Sequence, residues 1–250
     1  VLTPGRRGEG TDRAELQQSV PGNVQAAEAI AGCNCTVGLE TALRAIGLQA
    51  GDEVIVPDFT YPATANEIIL AGGTAVFADI DPLSMLLTPE LAEKVRTPKT
   101  RAVMPVPAFG NPLDYTAWQK WRTDARAMII EDAAPALGTT YKGKKVGAFS
   151  DMTVFSFHPR KNLTTGEGGM VVTHNAEWAS AMRSFKHFGM KGQASREQTV
   201  FASVGTNYKM GDILAALGLE QLKVLDDIIE RRRVLAERYM EFLRHTPGVT

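Results

Sequence analysis

Two side chains able to do covalent and proton chemistry stand just past apolar runs in this sequence. Asp132 follows the run 127–131 (AMIIE), within Ile130-Glu131-Asp132-Ala133-Ala134. Lys161 follows the run 152–157 (MTVFSF), within His158-Pro159-Arg160-Lys161-Asn162. A lysine amine forms an imine with a carbonyl, and a carboxylate holds a proton on a basic ring nitrogen. Singly, the acid reads as a helix cap and the lysine as a solvated charge; the pair is what points to chemistry. A third run end, Asp58-Phe59-Thr60-Tyr61-Pro62, places an aromatic at the start of a helical pattern. Before another such pattern, Asn34-Cys35-Thr36-Val37-Gly38 supplies a hydroxyl and unpaired backbone N–H groups. A phosphate is favoured there by the helix dipole and the free donors.

The elements that must hold these groups follow from periodicity. From about residue 36 onward, short apolar, β-branched runs alternate with segments of helical period, which predicts an α/β fold with a largely parallel sheet between helical layers. Strands are expected at 53–57, 74–79, 101–106, 127–131, 152–157 and 169–173, and helices at 37–47, 61–71, 88–96, 112–122 and 176–187. Thr88-Pro89-Glu90 is a clear helix start, with a capping hydroxyl and proline in the first turn. A long helical pattern runs from Gly211 to about His245. Within it, Arg231, Arg232 and Arg233 read either as an anion site or, beside Asp226, Asp227 and Glu230, as a solvated face. Residues 1–30, rich in Gly, Arg and Gln, have weak periodicity and are expected to be irregular. In open α/β sheets, ligand groups gather past the carboxyl ends of strands, where Asp132 and Lys161 fall.

Composition narrows the function. The chain has 250 residues, with 27 Lys plus Arg against 28 Asp plus Glu, a formal charge of −1. That balance carries no footprint of a nucleic-acid or polybasic membrane binder. The longest apolar stretch, Ile68 to Ala78, is interrupted by Gly72, Gly73 and Thr74, well short of the roughly 18 residues of a membrane span. With two cysteines and no apolar leader pattern at Val1 to Arg7, a reducing cytoplasm is expected. Cys33, Cys35 and four scattered histidines offer no metal-ligand spacing, so no metal is expected.

A lysine, an acid, a flat ring and a phosphate cup are the parts that pyridoxal 5′-phosphate requires. No G-x-G-x-x-G follows a strand, and no G-x-x-x-x-G-K-[ST] occurs. Ser156 near His158 lacks the G-x-S-x-G surroundings of a hydrolase nucleophile.

Several motifs, in order, carry a resemblance: Gly51-Asp52-Glu53-Val54-Ile55-Val56-Pro57, Glu131-Asp132-Ala133-Ala134, Ser156-Phe157-His158-Pro159-Arg160-Lys161, Gly166-Glu167-Gly168-Gly169 and Gly205-Thr206-Asn207-Tyr208-Lys209-Met210. From about Cys35 onward the chain resembles the DegT/DnrJ/EryC1/StrS family of sugar aminotransferases, which have the type I fold of pyridoxal-phosphate-dependent transferases. The resemblance implies that Lys161 is the imine-forming lysine and later the base, and that Asp132 pairs with the pyridinium nitrogen. It also implies that Tyr61 stacks on the ring with Ala134 opposite, and that Thr36, the Val37 backbone N–H and Ser156 hold the phosphate. Asn207 matches an asparagine that reaches the phosphate of the other subunit, implying a homodimer with shared sites. The implied reaction moves an amino group from an amino acid, glutamate or glutamine, to a nucleotide-linked keto-sugar. A sugar dehydratase of this group has histidine in place of the lysine, so Lys161 argues against it; a cofactor-binding regulatory protein is the other alternative.

The sequence departs from the pattern at Pro135, where many members have His or Gln, and at Phe188-Gly189, where His-Gly is usual. By the resemblance, residues 1–225 are the cofactor-binding large domain. Residues 226–250 begin a small C-terminal domain that is otherwise missing, which is expected of a fragment or a shortened member.

Overall fold

The computed structural model describes residues 10–191 and 199–248. In chain order its strands are β1 (Glu28–Gly32), β2 (Glu53–Pro57), β3 (Thr74–Ala78), β4 (Thr100–Val103), β5 (Met128–Asp132), β6 (Thr140–Tyr141), β7 (Lys144–Lys145), β8 (Met152–Ser156), β9 (Gly169–Thr173), β10 (Met190–Lys191) and β11 (Val200–Phe201). The helices are α1 (Thr11–Val24), α2 (Cys35–Ala45), α3 (Ala63–Leu70), α4 (Pro89–Val95), α5 (Tyr115–Ala125), α6 (Ala176–Phe185), α7 (Asp212–Leu222) and α8 (Leu225–Leu243).

Seven strands make one sheet in the order β1-β9-β8-β5-β4-β2-β3. The pairs from β8 across to β3 are parallel, while β9 runs antiparallel to both β8 and β1. The sheet is therefore mixed but mostly parallel. Alternation along each strand sends side chains to two separate cores. Val54, Val56, Ile130, Val154 and Val171 pack with Leu39 and Leu43 of α2, Ile68 of α3 and Met182 of α6. Ile55, Ile129, Phe155, Met170 and Val172 pack on the other face with Leu16 and Val20 of α1, Trp118 of α5 and Ala215 of α7. Both faces of β8 and β9 are buried throughout, which is why these segments read as continuous apolar runs. This is the three-layer α/β/α architecture expected.

Two expectations need correction. The opening segment is not irregular where it is described: residues 1–9 lie outside the described residues, but α1 occupies 11–24 and β1 starts at Glu28. The helix escapes a periodicity reading because its buried face includes Arg13 beside Leu16, Val20 and Val24, and because Pro21 and Gly22 fall in its last turn. Polar anchors hold it in place. Arg13 Nη1 donates to the Met210 carbonyl at 2.9 Å, and Gln17 Oε1 accepts from the Ala31 N–H at 2.9 Å. The second correction is that the helical pattern at 211–245 is two helices, separated at Lys223–Val224 without a glycine or proline to mark the break. Of α8, only Leu225 is buried.

Candidate active site

Asp132 is the last residue of β5, and Lys161 lies in the loop after β8, the strand beside it. Parallel strands side by side bring their carboxyl ends to one edge, so residues far apart in sequence meet there. Both side chains line one cavity of about 350 Å³, together with Thr36, Tyr61, Ala134 and Ser156. Of the eight residues that sequence reading assigns to the site, these six are brought together.

The carboxylate end of the cavity is built from buried polar groups. Asp132 is 4% exposed. Its Oδ2 accepts from the Thr64 hydroxyl at 2.7 Å, and its Oδ1 accepts from the Ala134 N–H at 3.2 Å. Thr64 is the second residue of α3, and its Oγ1 also lies 2.8 Å from Thr60 Oγ1. Burial pushes the Asp132 carboxyl up from the ordinary aspartate range, while the Thr64 and Ala134 hydrogen bonds and the Lys161 charge oppose the rise. The thiol of Cys35 is raised well above its usual value, first by burial and then by the Asp132 charge, with Lys161 opposing. Lys161 is thus within electrostatic reach of both groups.

Glu131, the neighbour of Asp132, points to the opposite face of β5, as strand alternation requires. It is fully buried and accepts from the Tyr115 hydroxyl, from Ser150 Oγ at 2.9 Å and from Thr153 Oγ1 at 3.2 Å. Burial pushes its carboxyl up to about 7 despite these donors.

The other end of the cavity is the N-terminus of α2. Asn34 caps the helix, its Oδ1 accepting from the Val37 N–H at 2.9 Å. Val37 therefore has its N–H engaged and does not line the cavity, in contrast to its expected phosphate role. The unpaired donors of the first turn are those of Cys35 and Thr36. Close approach of the chain is needed here. A Cβ on Gly169, the first residue of β9, would lie 2.6 Å from the Asn34 carbonyl and the Cys35 nitrogen, so only glycine lets the helix start sit on the sheet end. Ser156, at the end of β8, is 5% exposed and accepts from the His158 N–H at 3.3 Å. His158 Nδ1 in turn lies 3.3 Å from the Arg160 N–H, so no imidazole is aimed at the Ser156 hydroxyl.

Tyr61 stands at the rim, 72% exposed, with Ala134 also lining the cavity. Asn207 does not line it; the residue is exposed and forms an antiparallel bridge with His187. Its neighbour Tyr208 donates to Glu40 Oε2 on α2 at 2.8 Å, tying this segment to the helix that forms the cup. Thr64 was not singled out from sequence, because nothing local signals a contact to Asp132, 68 residues away. His158, Arg160 and Glu167 also line the cavity. Among the described residues no cluster of metal ligands occurs, and no helix is long and apolar enough to cross a membrane.

The residues fit pyridoxal 5′-phosphate. A buried carboxylate with two donors on its outer side keeps acceptor capacity for a ring N–H⁺, and the helix start, hydroxyls and amine are placed around the same space. Fold and cavity together define the class: the mostly parallel α/β fold shared by pyridoxal-phosphate-dependent aminotransferases. The sequence profile of the DegT/DnrJ/EryC1/StrS aminotransferase family matches residues 1–250, and the chain belongs to that family. Aminotransferases of this family depend on pyridoxal 5′-phosphate, and similar solved structures include forms with PLP and PMP.

Among curated relatives, the spore coat polysaccharide biosynthesis protein SpsC of Bacillus subtilis is 39% identical over 256 residues, covering 100% of this chain and 66% of that protein. GDP-perosamine synthase of Escherichia coli O157:H7 is 42% identical over 206 residues, covering 82% of this chain and 56% of that protein. The crystal structure of S. venezuelae DesV superposes with a TM-score of 0.92 at 34% identity, covering 98% of this chain and 65% of DesV. The chain thus spans less than two thirds of the length of these relatives.

Proposed function

We propose that this chain carries the cofactor site of a sugar aminotransferase, which moves an amino group from an amino acid, glutamate, to the keto carbon of a nucleotide-linked sugar. The observation that carries the reading is the single cavity lined by Lys161, by buried Asp132 and by the start of α2. Similarity to a GDP-perosamine synthase supports a nucleotide sugar as acceptor.

When bound, pyridoxal 5′-phosphate supplies an aldehyde that exchanges amines and a ring that takes up the electrons left when a proton departs. Each residue then has one task. Asp132 accepts from the protonated ring nitrogen and keeps the proton there. Tyr61 and Ala134, which both line the cavity, would contact the ring from either side. Thr36, the free N–H groups at the start of α2 and Ser156 hold the phosphate. The Lys161 amine would hold the cofactor's aldehyde and, as a neutral base, would take the proton from the substrate carbon and return it to the cofactor.

The partner assignment rests on Asn207. It is exposed and outside its own cavity, which supports a role in the site of a second copy and hence a homodimer. Two free thiols, Cys33 and Cys35, support a cytoplasmic setting. We assign residues 1–225 to the large domain and 226–250 to the start of a small one, supported by the near-complete exposure of α8.

The test is a half-reaction. The protein loaded with pyridoxal 5′-phosphate and mixed with glutamate is expected to lose its visible absorbance while forming one equivalent of 2-oxoglutarate. An unchanged spectrum with no keto acid would favour a protein that only binds the cofactor.

A further inference from the structure

Three residues that line the cofactor cavity have no task in the aminotransferase reading: His158, Arg160 and Glu167. All three belong to the loop between β8 and β9 that carries Lys161. Burial sorts the lining into a floor and a rim. Asp132 and Ser156, 4% and 5% exposed, lie at the floor, where the ring nitrogen and the phosphate of the cofactor are assigned. Tyr61, Arg160 and Glu167 are exposed and form the rim, so they meet what enters once the cofactor is seated.

A local turn fixes the backbone under Arg160. The Lys161 N–H donates to the His158 carbonyl at 2.9 Å, and the Arg160 N–H donates to His158 Nδ1 at 3.3 Å. Further along, Asn162 Nδ2 donates to the Leu137 carbonyl at 3.1 Å and the Thr164 N–H donates to Gln221 Oε1 at 3.0 Å, so the loop is pinned on both sides of Lys161. Charge at the rim is unmatched. Among the described residues no carboxylate pairs with Arg160, Glu167 on the same rim included, and its guanidinium has no hydrogen-bond partner. A guanidinium offers five N–H donors in a fork that grips a carboxylate through two parallel hydrogen bonds. The molecule that must bring an amine to the aldehyde held at Lys161, with a carboxylate on the same carbon, is the amino donor.

We infer that Arg160 binds the α-carboxylate of the amino donor at the rim and so sets the donor's amine toward Lys161. The inference rests on the aminotransferase reading of the cavity and adds the recognition of its first substrate. Two other anions share this chemistry: the side-chain carboxylate of the donor and the phosphate of the cofactor.

Calorimetric titration of the cofactor-loaded protein with 2-methylglutamate reads donor binding alone, because this compound has no proton on its amine-bearing carbon and is not turned over. A matched ligand, 4-amino-4-methylpentanoate, carries a methyl group where 2-methylglutamate carries its α-carboxylate. Wild-type protein is expected to bind 2-methylglutamate the more tightly. Arg160→Gln is expected to weaken 2-methylglutamate by about tenfold or more, since charge-assisted hydrogen bonds are lost, and to leave the matched ligand unchanged. Arg160→Lys keeps the charge without the fork; an intermediate loss is expected, and this variant carries the test if Arg160→Gln fails to fold. Affinities for pyridoxal 5′-phosphate and for pyridoxal are expected to be unchanged in both variants. No binding of 2-methylglutamate by the wild type, or equal binding by wild type and variants, would overturn the inference. So would equal weakening of the two ligands, which points to the side-chain carboxylate, or a loss confined to pyridoxal 5′-phosphate, which points to the cofactor. Conversion of glutamate is scored separately. If the wild type forms no 2-oxoglutarate yet holds 2-methylglutamate through Arg160, the aminotransferase reading falls and the carboxylate site stands.

Discussion

Replacing Thr64 by valine tests the proposal that Asp132 binds the cofactor as a carboxylate supported by the Thr64 hydroxyl. Valine preserves the shape of the buried threonine but removes the 2.7 Å hydrogen bond to Asp132 Oδ2. That hydroxyl has one proton, and its other neighbours, Thr60 Oγ1 at 2.8 Å and the Tyr61 carbonyl at 3.1 Å, are farther away than Asp132 Oδ2. A hydrogen bond to a charged group contributes about 1.5–3 kcal/mol, and about 1.4 kcal/mol corresponds to one pH unit in a carboxyl's titration. Burial already pushes Asp132 up, and loss of the Thr64 hydrogen bond, which opposes that rise, pushes the variant's carboxyl up further. A protonated Asp132 no longer pairs with a ring N–H⁺. Spectroscopic titration with pyridoxal 5′-phosphate across the neutral range is expected to show affinity about tenfold weaker near pH 7, recovering as pH rises. Thr64→Ser restores the donor and the affinity. A Thr64→Val protein with wild-type affinity and an unchanged pH profile would refute the reasoning.

Two further variants probe the frame around the site. Gly169→Ala puts a methyl group 2.6 Å from the Asn34 carbonyl and the Cys35 nitrogen, so the phosphate end of the cavity must shift. The expected cost is about 1–3 kcal/mol in denaturant unfolding. Affinity should fall more for pyridoxal 5′-phosphate than for pyridoxal, and equal losses would argue against a phosphate cup at α2. Glu67, one turn beyond Thr64 on α3, is 4% exposed, and burial with the nearby Glu40 charge pushes its carboxyl up to about 7, with Arg44 opposing. Because the folded value lies above the ordinary 4.5, the folded protein keeps a proton that the unfolded chain releases, and stability falls as pH rises from about 4.5 to about 7. Glu67→Gln is expected to flatten that slope, by at most about 1.4 kcal/mol per pH unit in urea unfolding. An unchanged slope would mean that Glu67 is ionised throughout. Glu131, also raised, leaves a residual slope of the same sign.

The strands and the two chemical residues were legible because buried parallel strands are short, apolar and punctuated, and ligand groups follow their carboxyl ends. Thr88-Pro89-Glu90 announced α4 through local capping, and Thr88 Oγ1 does accept from the Leu91 N–H. Elements held by distant polar contacts were not legible. The first helix depends on Arg13 reaching Met210, and β1, with two alanines in Glu28–Gly32, carries little β-branched signal. The phosphate role of the Val37 N–H came from the resemblance alone; in the structure that N–H donates to Asn34 Oδ1. The tie from Thr64 to Asp132 exists only once α3 and β5 are packed together. Arg232 and Arg233 read either as an anion site or as a solvated face, and only the fold sets them against the loops after β4 and β5.

The central claim is that one amine, Lys161, covalently carries the cofactor beside Asp132. Borohydride reduction of the loaded protein, followed by proteolysis and mass spectrometry, reads this directly. The expected result is one phosphopyridoxyl group, on the peptide containing Lys161, absent from Lys161→Ala. A group attached at another lysine, or an equal yield in the variant, would contradict the account.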